Sequence, residues 1–383
     1  MAAWKKTSLI DIVELIGGGT PKTSKSEYWG GNINWLSVKD FNNENRYVYS
    51  TEKSITEEGL NNSSTKLLKK DDIIISARGT VGELAMIPFP MAFNQSCYGI
   101  RAKEDIDSTF LYYLIKNSVR KLKVMTHGSV FDTITKDTFA NIEVDIPDIE
   151  TQHRIAKMLA VIDDKVENNQ RINNNLEQQA QAIYQQMFID NPDPDWIEGS
   201  LSDIANITMG QSPSGSSYNE DGIGAIFFQG RAEFGFRFPT IRLYTTEPKR
   251  MAYANDILMS VRAPVGNLNV AHNDCCIGRG LAAIQSKTNH QSFVLYTMFS
   301  LKKQLDVFNG EGTVFGSINR NSLNDMPILI PDDEQIEKFE LIVAPMDAAI
   351  RNNCDEICRL QAVRDSLLPR LMSGELDVSN LSL

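Results

Sequence analysis

The sequence predicts an α+β protein: two mixed β-rich domains separated by two long helices that form an antiparallel coiled coil, the whole an internal duplication of pseudo-two-fold character. Three observations predict it. First, the chain repeats itself. Asp72-Ile-Ile-Ile-Ser-Ala-Arg78-Gly-Thr-Val-Gly82 returns as Asp256-Ile-Leu-Met-Ser-Val-Arg262-Ala-Pro-Val-Gly266, 184 residues later. Gly128-Ser-Val-Phe-Asp-Thr-Ile134 returns as Gly312-Thr-Val-Phe-Gly-Ser-Ile318, and Ile146-Pro147 as Ile330-Pro331, at the same offset. Ser8-Leu-Ile-Asp-Ile12 returns as Ser200-Leu-Ser-Asp-Ile204 at 192. Solenoid repeats run roughly 20–50 residues, so this period is a whole domain with its connector. Second, two stretches carry apolar residues at alternating spacings of four and three. Third, between them lie short β-branched runs broken by Gly, Asn and Pro.

Each element follows from its residues. Residues 1–148 form the first β-rich domain, with strands such as Asp72-Ile73-Ile74-Ile75 and Ile142-Glu-Val144-Asp-Ile146. A helix is predicted near Ser108–Asn117, with its counterpart over Ser292–Phe299. Residues 149–191 are the first long helix. From Thr151 to Ile189 there is no Pro or Gly, and Ile155, Leu159, Ile162, Val166, Asn169, Asn173, Leu176, Ala180, Ile183 and Met187 make a heptad seam. Asn191-Pro192-Asp-Pro194 stops it. Residues 192–331 are the second β-rich domain and 332–383 the second helical region, with a seam at Met346, Ile350, Asn353, Ile357, Leu360, Arg364, Leu367 and Leu371. Pro345 should kink this helix near its start and Pro369 disturb its last turns. An exposed apolar stripe of this length needs a partner. The economical partner for Ile155, Leu159, Ile162, Val166, Leu176 and Ile183 is the stripe of Ile350, Ile357, Leu360 and Leu367. Asn169, Asn173 and Asn353 then fix register at some cost in stability.

The net charge of −11 argues at first against a polyanionic partner, but its distribution matters more. Residues 1–145 are net 0 and residues 195–330 net −1, whereas 146–194 carry −4 and 331–383 carry −6. Two short helical segments hold nearly all of the imbalance. The β-rich domains are free to present a basic face, and the acidic helices are poor neighbours for phosphates. No run approaches 18 apolar residues, so no spanning helix is expected, and the N-terminus lacks the apolar core of a signal peptide. The expected location is the cytoplasm. Cys354 and Cys358 stand four apart on a helix without His or a second Cys pair nearby, which reads as reduced thiols and no metal site.

Particular strings carry a family resemblance. Gly17-Gly-Gly-Thr-Pro21 followed by Tyr28-Trp29-Gly-Gly-Asn-Ile-Asn-Trp35, the Asp-Ile-Ile-Ile-Ser-x-Arg-Gly-x-x-Gly block, Ile146-Pro-Asp-Ile-Glu150-Thr-Gln152, Ile330-Pro-Asp-Asp-Glu334-Gln335 and Leu367-Leu-Pro-Arg-Leu-Met-Ser-Gly374-Glu375-Leu376 occur in one order along the whole chain. Together they resemble the DNA-specificity subunit of type I restriction-modification systems. The resemblance implies two target recognition domains, each reading half of a bipartite, asymmetric site on double-stranded DNA. It implies helices that set the gap between halves and dock two adenine-N6 methyltransferase subunits, which supply the S-adenosylmethionine chemistry. ATP-dependent restriction subunits complete the complex. The chain itself then needs neither cofactor nor catalytic residue. Two departures stand out: Arg262-Ala-Pro replaces Arg78-Gly-Thr, and a one-residue shift is expected where the second long helix begins.

DNA contacts call for Lys and Arg on phosphates and bidentate side chains on base edges. The candidates are Lys22, Lys25, Trp35, Lys39 and Arg78 in the first domain, with Trp29 nearby. In the second they are Gln211, Gln229, Arg231, Arg237, Arg242 and Arg262, with Lys249 and Arg250. Gly128-Ser-Val-Phe and Gly312-Thr-Val-Phe are candidate loops at DNA. Residues 213–250 align poorly with the first copy, so the two domains are expected to read different half-sites. No amino-methyltransferase tetrapeptide, phosphate loop or nuclease constellation occurs, and His127 is replaced by Glu311 in the second copy. The alternative is a non-enzymatic coiled-coil scaffold with protein-binding globular ends, which would show no salt-dependent DNA affinity.

Overall fold

The computed structural model describes residues 4–43, 45–125, 133–310 and 316–378, apart from the side chains of 121–125. It divides into two compact units: Met1–Asn168 with Glu356–Leu383, and Asn169–Asp355. This grouping differs from a division at the helix ends. Each unit takes one β-rich part together with half of each long helix.

In the first unit, Lys5–Ser8 pairs antiparallel with Glu143–Ile146. A four-stranded sheet runs Val13–Gly17, Cys97–Ala102, Ile73–Ser76, Leu84–Met86, all antiparallel. A second runs Lys53–Ile55, Trp29–Leu36, Met91–Phe93, Leu67–Leu68, with Trp29–Leu36 parallel to Met91–Phe93. The second unit has the same strand orders. Ile197–Ser200 pairs with Pro327–Ile330. Ala205–Met209, Leu281–Ser286, Ile257–Ser260 and Leu268–Val270 make one sheet, and Leu243–Thr245, Ala225–Phe228, Cys275–Ile277 and Met251–Ala252 the other. Tyr218–Asn219 adds one more edge strand.

The repeated motif owes its letters to this architecture. Asp72 accepts the Lys69 amide at 2.7 Å, and Asp256 accepts the Tyr253 amide at 2.8 Å, closing the same turn. The preceding Asp71 and Asn255 sit at φ 68° and 76°, a region that Asp and Asn tolerate best after Gly. Ile73–Ser76 and Ile257–Ser260 are buried throughout, which explains their unbroken apolar run. The Ser76 and Ser260 hydroxyls accept the amides of Glu83 and Asn267 at 2.8 and 2.9 Å. Gly82 and Gly266 follow at φ 85° and 82°, where a Cβ is unfavourable. The departure at Gly79 is also structural: Gly79 has φ 78°, whereas Ala263–Pro264 is a cis peptide.

The long helices run over Ile149–Tyr184 and Asp333–Met372, with a π-helical turn at Gln185–Ile189 after the first. At a rise of ~1.5 Å per residue they extend about 54 and 60 Å. In the first unit Ile155 and Leu159 join the core that holds Leu368, Leu371 and Met372. Here Arg364 donates to Asp163 at 2.9 Å and Lys165 pairs with Glu356 at 3.3 Å, so the helix segments run antiparallel. In the second unit Ala180, Tyr184 and Phe188 join Ile336, Phe339 and Val343, and Asn353 donates to Asn173 at 2.8 Å. Val166 and Ile350 are buried, while Ile162, Leu176, Ile183, Ile357, Leu360 and Leu367 are half-buried.

The second helix runs from Asp333 to Met372 through Pro345 and Pro369, both of which are exposed. One expectation about it fails: there is no one-residue shift at its start. Asp148 caps Thr151 and Asp332 caps Gln335, at an offset of 184 in each case, and the buried Gln152 is replaced by the buried Ile336. What changes is the side chain, not the register.

Candidate nucleic-acid interface

Backbone hydrogen bonds put the two units into register residue by residue. The amides of Gly19 and Gln211 donate to Phe93 and Ile277, and those of Asn94 and Gly278 to Leu36 and Phe228. Trp35 pairs with Ala92 as Phe227 pairs with Cys276. Hence Thr20 corresponds to Ser212, Ser37 to Gln229 and Lys39 to Arg231, all offset by 192. From Asp71 onward the offset is 184, so Arg78 corresponds to Arg262 and Gln95 to Arg279. Arg78 bridges to Thr133 as Arg262 bridges to Ser317.

In the second unit these positions converge on a cavity of about 400 Å³. Its lining includes Ser212, Gln229, Arg231, Arg242, Arg262 and Arg279. All four arginines are exposed. Arg242 is held by Glu233 at 2.8 Å, whereas no described side chain pairs with Arg231, Arg262 or Arg279. Three unpaired guanidiniums, each a planar fork of donors, face one opening; that suits phosphate oxygens or the O6/N7 edge of guanine. The first unit carries a sparser version. Lys39 and Arg78 are exposed, and Gln95 meets the Thr20 hydroxyl where Arg279 donates its amide to Ser212 at 3.2 Å. The elements between Ser37 and Asp71 also differ from those between Gln229 and Asn255, with eight more residues in the first unit. This segment overlaps the stretch 213–250 that aligns poorly with the first copy.

Other candidates fall elsewhere. Lys22 and Gln211 are exposed on the loops that follow Val13–Gly17 and Ala205–Met209. Lys25 is exposed but engaged: it donates to the Tyr28 hydroxyl at 3.2 Å and pairs with Glu27 at 3.4 Å, which together raise its pKa. Lys249 and Arg250 are exposed. Two candidates are corrected. Trp35 is buried, donates its indole N–H to the Gly19 carbonyl at 3.1 Å and packs edge-on against Trp29, so it braces the loop. Arg237 is 4% exposed and bound by Asp347 at 3.0 Å and Glu177 at 2.9 Å, out of reach of a base. Burial raises the Glu177 carboxyl above its ordinary range, and Arg237 opposes that shift. Arg279 was missed; the available signal was Gly278-Arg-Gly280 standing where the first copy has Asn94-Gln95-Ser96. The loops Gly128-Ser-Val-Phe and Gly312-Thr-Val-Phe, with His127 and Glu311, lie outside the described residues. Among the described residues no group of three or more His, Cys, Asp or Glu is placed to hold a metal ion, and no helix is long and apolar enough to cross a membrane.

The profile of the type I restriction modification DNA specificity domain matches residues 1–178 and again 194–353. The chain belongs to that family. Similar proteins include the type I restriction enzyme MjaIX specificity subunit of Methanocaldococcus jannaschii, 28% identical over 99% of this chain and 94% of the relative. The EcoR124I/EcoR124II specificity subunit of Escherichia coli is 33% identical over 42% of this chain and 40% of its own length. Among solved structures, the type I restriction-modification S subunit from M. genitalium superposes with a TM-score of 0.60 at 17% identity, covering 99% of this chain and 97% of that one, a likeness of fold.

Proposed function

We propose that this chain is the non-catalytic DNA-recognition subunit of a type I restriction-modification complex. Each unit reads one half of a bipartite, asymmetric site on duplex DNA. The observation that carries this reading is the pair of equivalent surfaces: one scaffold, drawn twice, bearing Thr20, Lys39, Arg78 and Gln95 in one copy and Ser212, Arg231, Arg262 and Arg279 in the other. Conserved placement with altered donors is what reading two different sequences requires. The long helices set the number of base pairs between the halves and dock two methyltransferase subunits, with ATP-dependent restriction subunits joining them. Apolar side chains left on these helices, Val161 at 59% exposed and Leu341 at 68%, support a protein partner there. Chemistry resides in the partners.

The test is to assemble the chain with its methyltransferase partner and map methylated adenines across genomic DNA. The expected result is one asymmetric motif of two half-sites with a constant gap. A continuous palindrome, or methylation by this chain alone, would overturn the reading.

A further inference from the structure

Both units bury an arginine that DNA reading does not use. Arg237 is 4% exposed and Arg46 is 6% exposed. They are equivalent: the Met86 amide donates to the Arg46 carbonyl at 2.7 Å and the Val270 amide to the Arg237 carbonyl at 2.8 Å. Both lie inside the connecting segment that differs between units in length and sequence. Both nevertheless reach the same kind of partner, a carboxylate of a long helix beside a tyrosine. Arg237 donates to Asp347 and Glu177, and reaches the Tyr296 hydroxyl at 3.4 Å; that hydroxyl donates to Asp347 at 3.0 Å. Arg46 pairs with Asp164, and the neighbouring Tyr47 amide donates to Glu167 at 3.3 Å. Next to it Tyr113 donates to Asp163, the residue 184 positions before Asp347, at 2.6 Å.

We propose that Arg46 and Arg237 are positioning residues, each orienting the DNA-reading segment of its own unit on the long helices and so governing selectivity in its own half-site. This rests on the DNA-recognition reading above. Three observations favour a geometric role over a merely stabilising one. The guanidiniums are incompletely satisfied: Nε of both, and one terminal nitrogen of Arg46, have no hydrogen-bond partner among the described residues. Ion pairs as enclosed as those of Arg237 recover little more than their desolvation cost, and the Arg46 partner Asp164 is exposed, so neither pair is a strong source of stability. And Arg237 lies in the chain between Arg231 and Arg242, as Arg46 follows Lys39, so fixing it fixes the reading side chains on either flank.

The experiment uses the complex with its methyltransferase partner. Arg237→Met combined with Glu177→Gln and Asp347→Asn removes the charges of the Arg237 network, and Arg46→Met with Asp164→Asn removes the Arg46 ion pair while leaving Glu167 and the Asp163–Arg364 pair in place. The wild-type complex, the two neutral variants and Arg237→Lys are compared by methylome mapping and thermal melting. The expected result is that each neutral variant melts near the wild type and loses about tenfold in selectivity against single wrong bases in one half-site only. The two variants affect opposite halves. Arg237→Lys keeps the charge without the fork and falls between. The proposal is overturned if a neutral variant keeps both halves sharp, blurs both equally, or fails to fold. A wild-type complex with no two-part motif would instead overturn the recognition reading itself.

Discussion

The two units carry the same sheets in the same order, and two of their differences stand out: the segment between Ser37 and Asp71 against that between Gln229 and Asn255, and the source of the charge on the helix carboxylate. In the first unit Asp163 is met by Arg364 of the second long helix. The position 184 residues before Arg364 is Ala180, and in the second unit Asp347 is met by Arg237 of the connecting segment. The scaffold is held constant by buried strands and turn caps. The charges that complete it come from whichever element is at hand. Both units give this carboxylate a cation, and the cation comes from a different element in each.

That comparison can be broken most sharply by Arg364→Ala. It leaves Asp163, at 3% exposed, without its cation. The expected loss is about 3–5 kcal/mol, read by hydrogen exchange in the helix that carries Tyr112 and Tyr113. The helix Gln291–Ser300 of the second unit should keep its protection; equal loss in both would show that the units do not satisfy their carboxylates separately.

Exchange of the readers comes next. Gln95→Arg together with Arg279→Gln should alter base preference at one position in each half-site, by about 1–3 kcal/mol of discrimination per bidentate contact. Methylome mapping reads it. An unchanged motif would remove these two positions from the interface and leave Arg231 and Arg262 as the ones to test.

The helix caps give a smaller contrast. Asp148 accepts both the amide and the hydroxyl of Thr151, at 2.9 and 3.0 Å, whereas Asp332 accepts the Gln335 amide alone at 2.8 Å. Asp148→Ala should cost about 1 kcal/mol and Asp332→Ala less, by urea titration. The Thr151 amide, with its hydroxyl, holds the Asp148 carboxyl below its ordinary value of 3.8. A depressed carboxylate stabilises above its unfolded pKa and loses that contribution as pH falls through the folded one. The gap between wild type and Asp148→Ala should therefore be constant near neutrality and close only under acid below about pH 4.

The smallest effect is at the altered turn. Gly79→Ala places a Cβ at φ 78° with nothing within 4 Å, so the cost is backbone strain alone, about 1 kcal/mol. Ala263 already carries that Cβ, and Ala263→Gly should change urea stability by less. Equal costs at the two positions would mean that the turns differ only in sequence.

Much of this was legible in the residues. The repeat at 184, the β-branched runs and the heptad spacing are local or periodic properties, and periodicity survives translation into structure because side chains alternate at fixed angles along strands and helices. Asn173, Asn353, Ile155, Leu159 and Ile350 were readable for that reason. Trp35 and Arg237 were misread because their types suit DNA and their burial is decided by distant residues: the Gly19 carbonyl for one, Asp347 and Glu177 for the other. Arg279 was overlooked because its importance lies in sharing a cavity with Arg231 and Arg262, which chain order does not show.

The sequence by itself determined that the chain repeats itself, that two long stretches are helical, and that the apolar run after Asp72 and Asp256 is a strand. Only the tertiary structure decided which arginines are free and which are spent. A cation's role depends on whether a carboxylate lies within a few ångströms in a place without water, and that distance is set by packing between elements far apart in the chain.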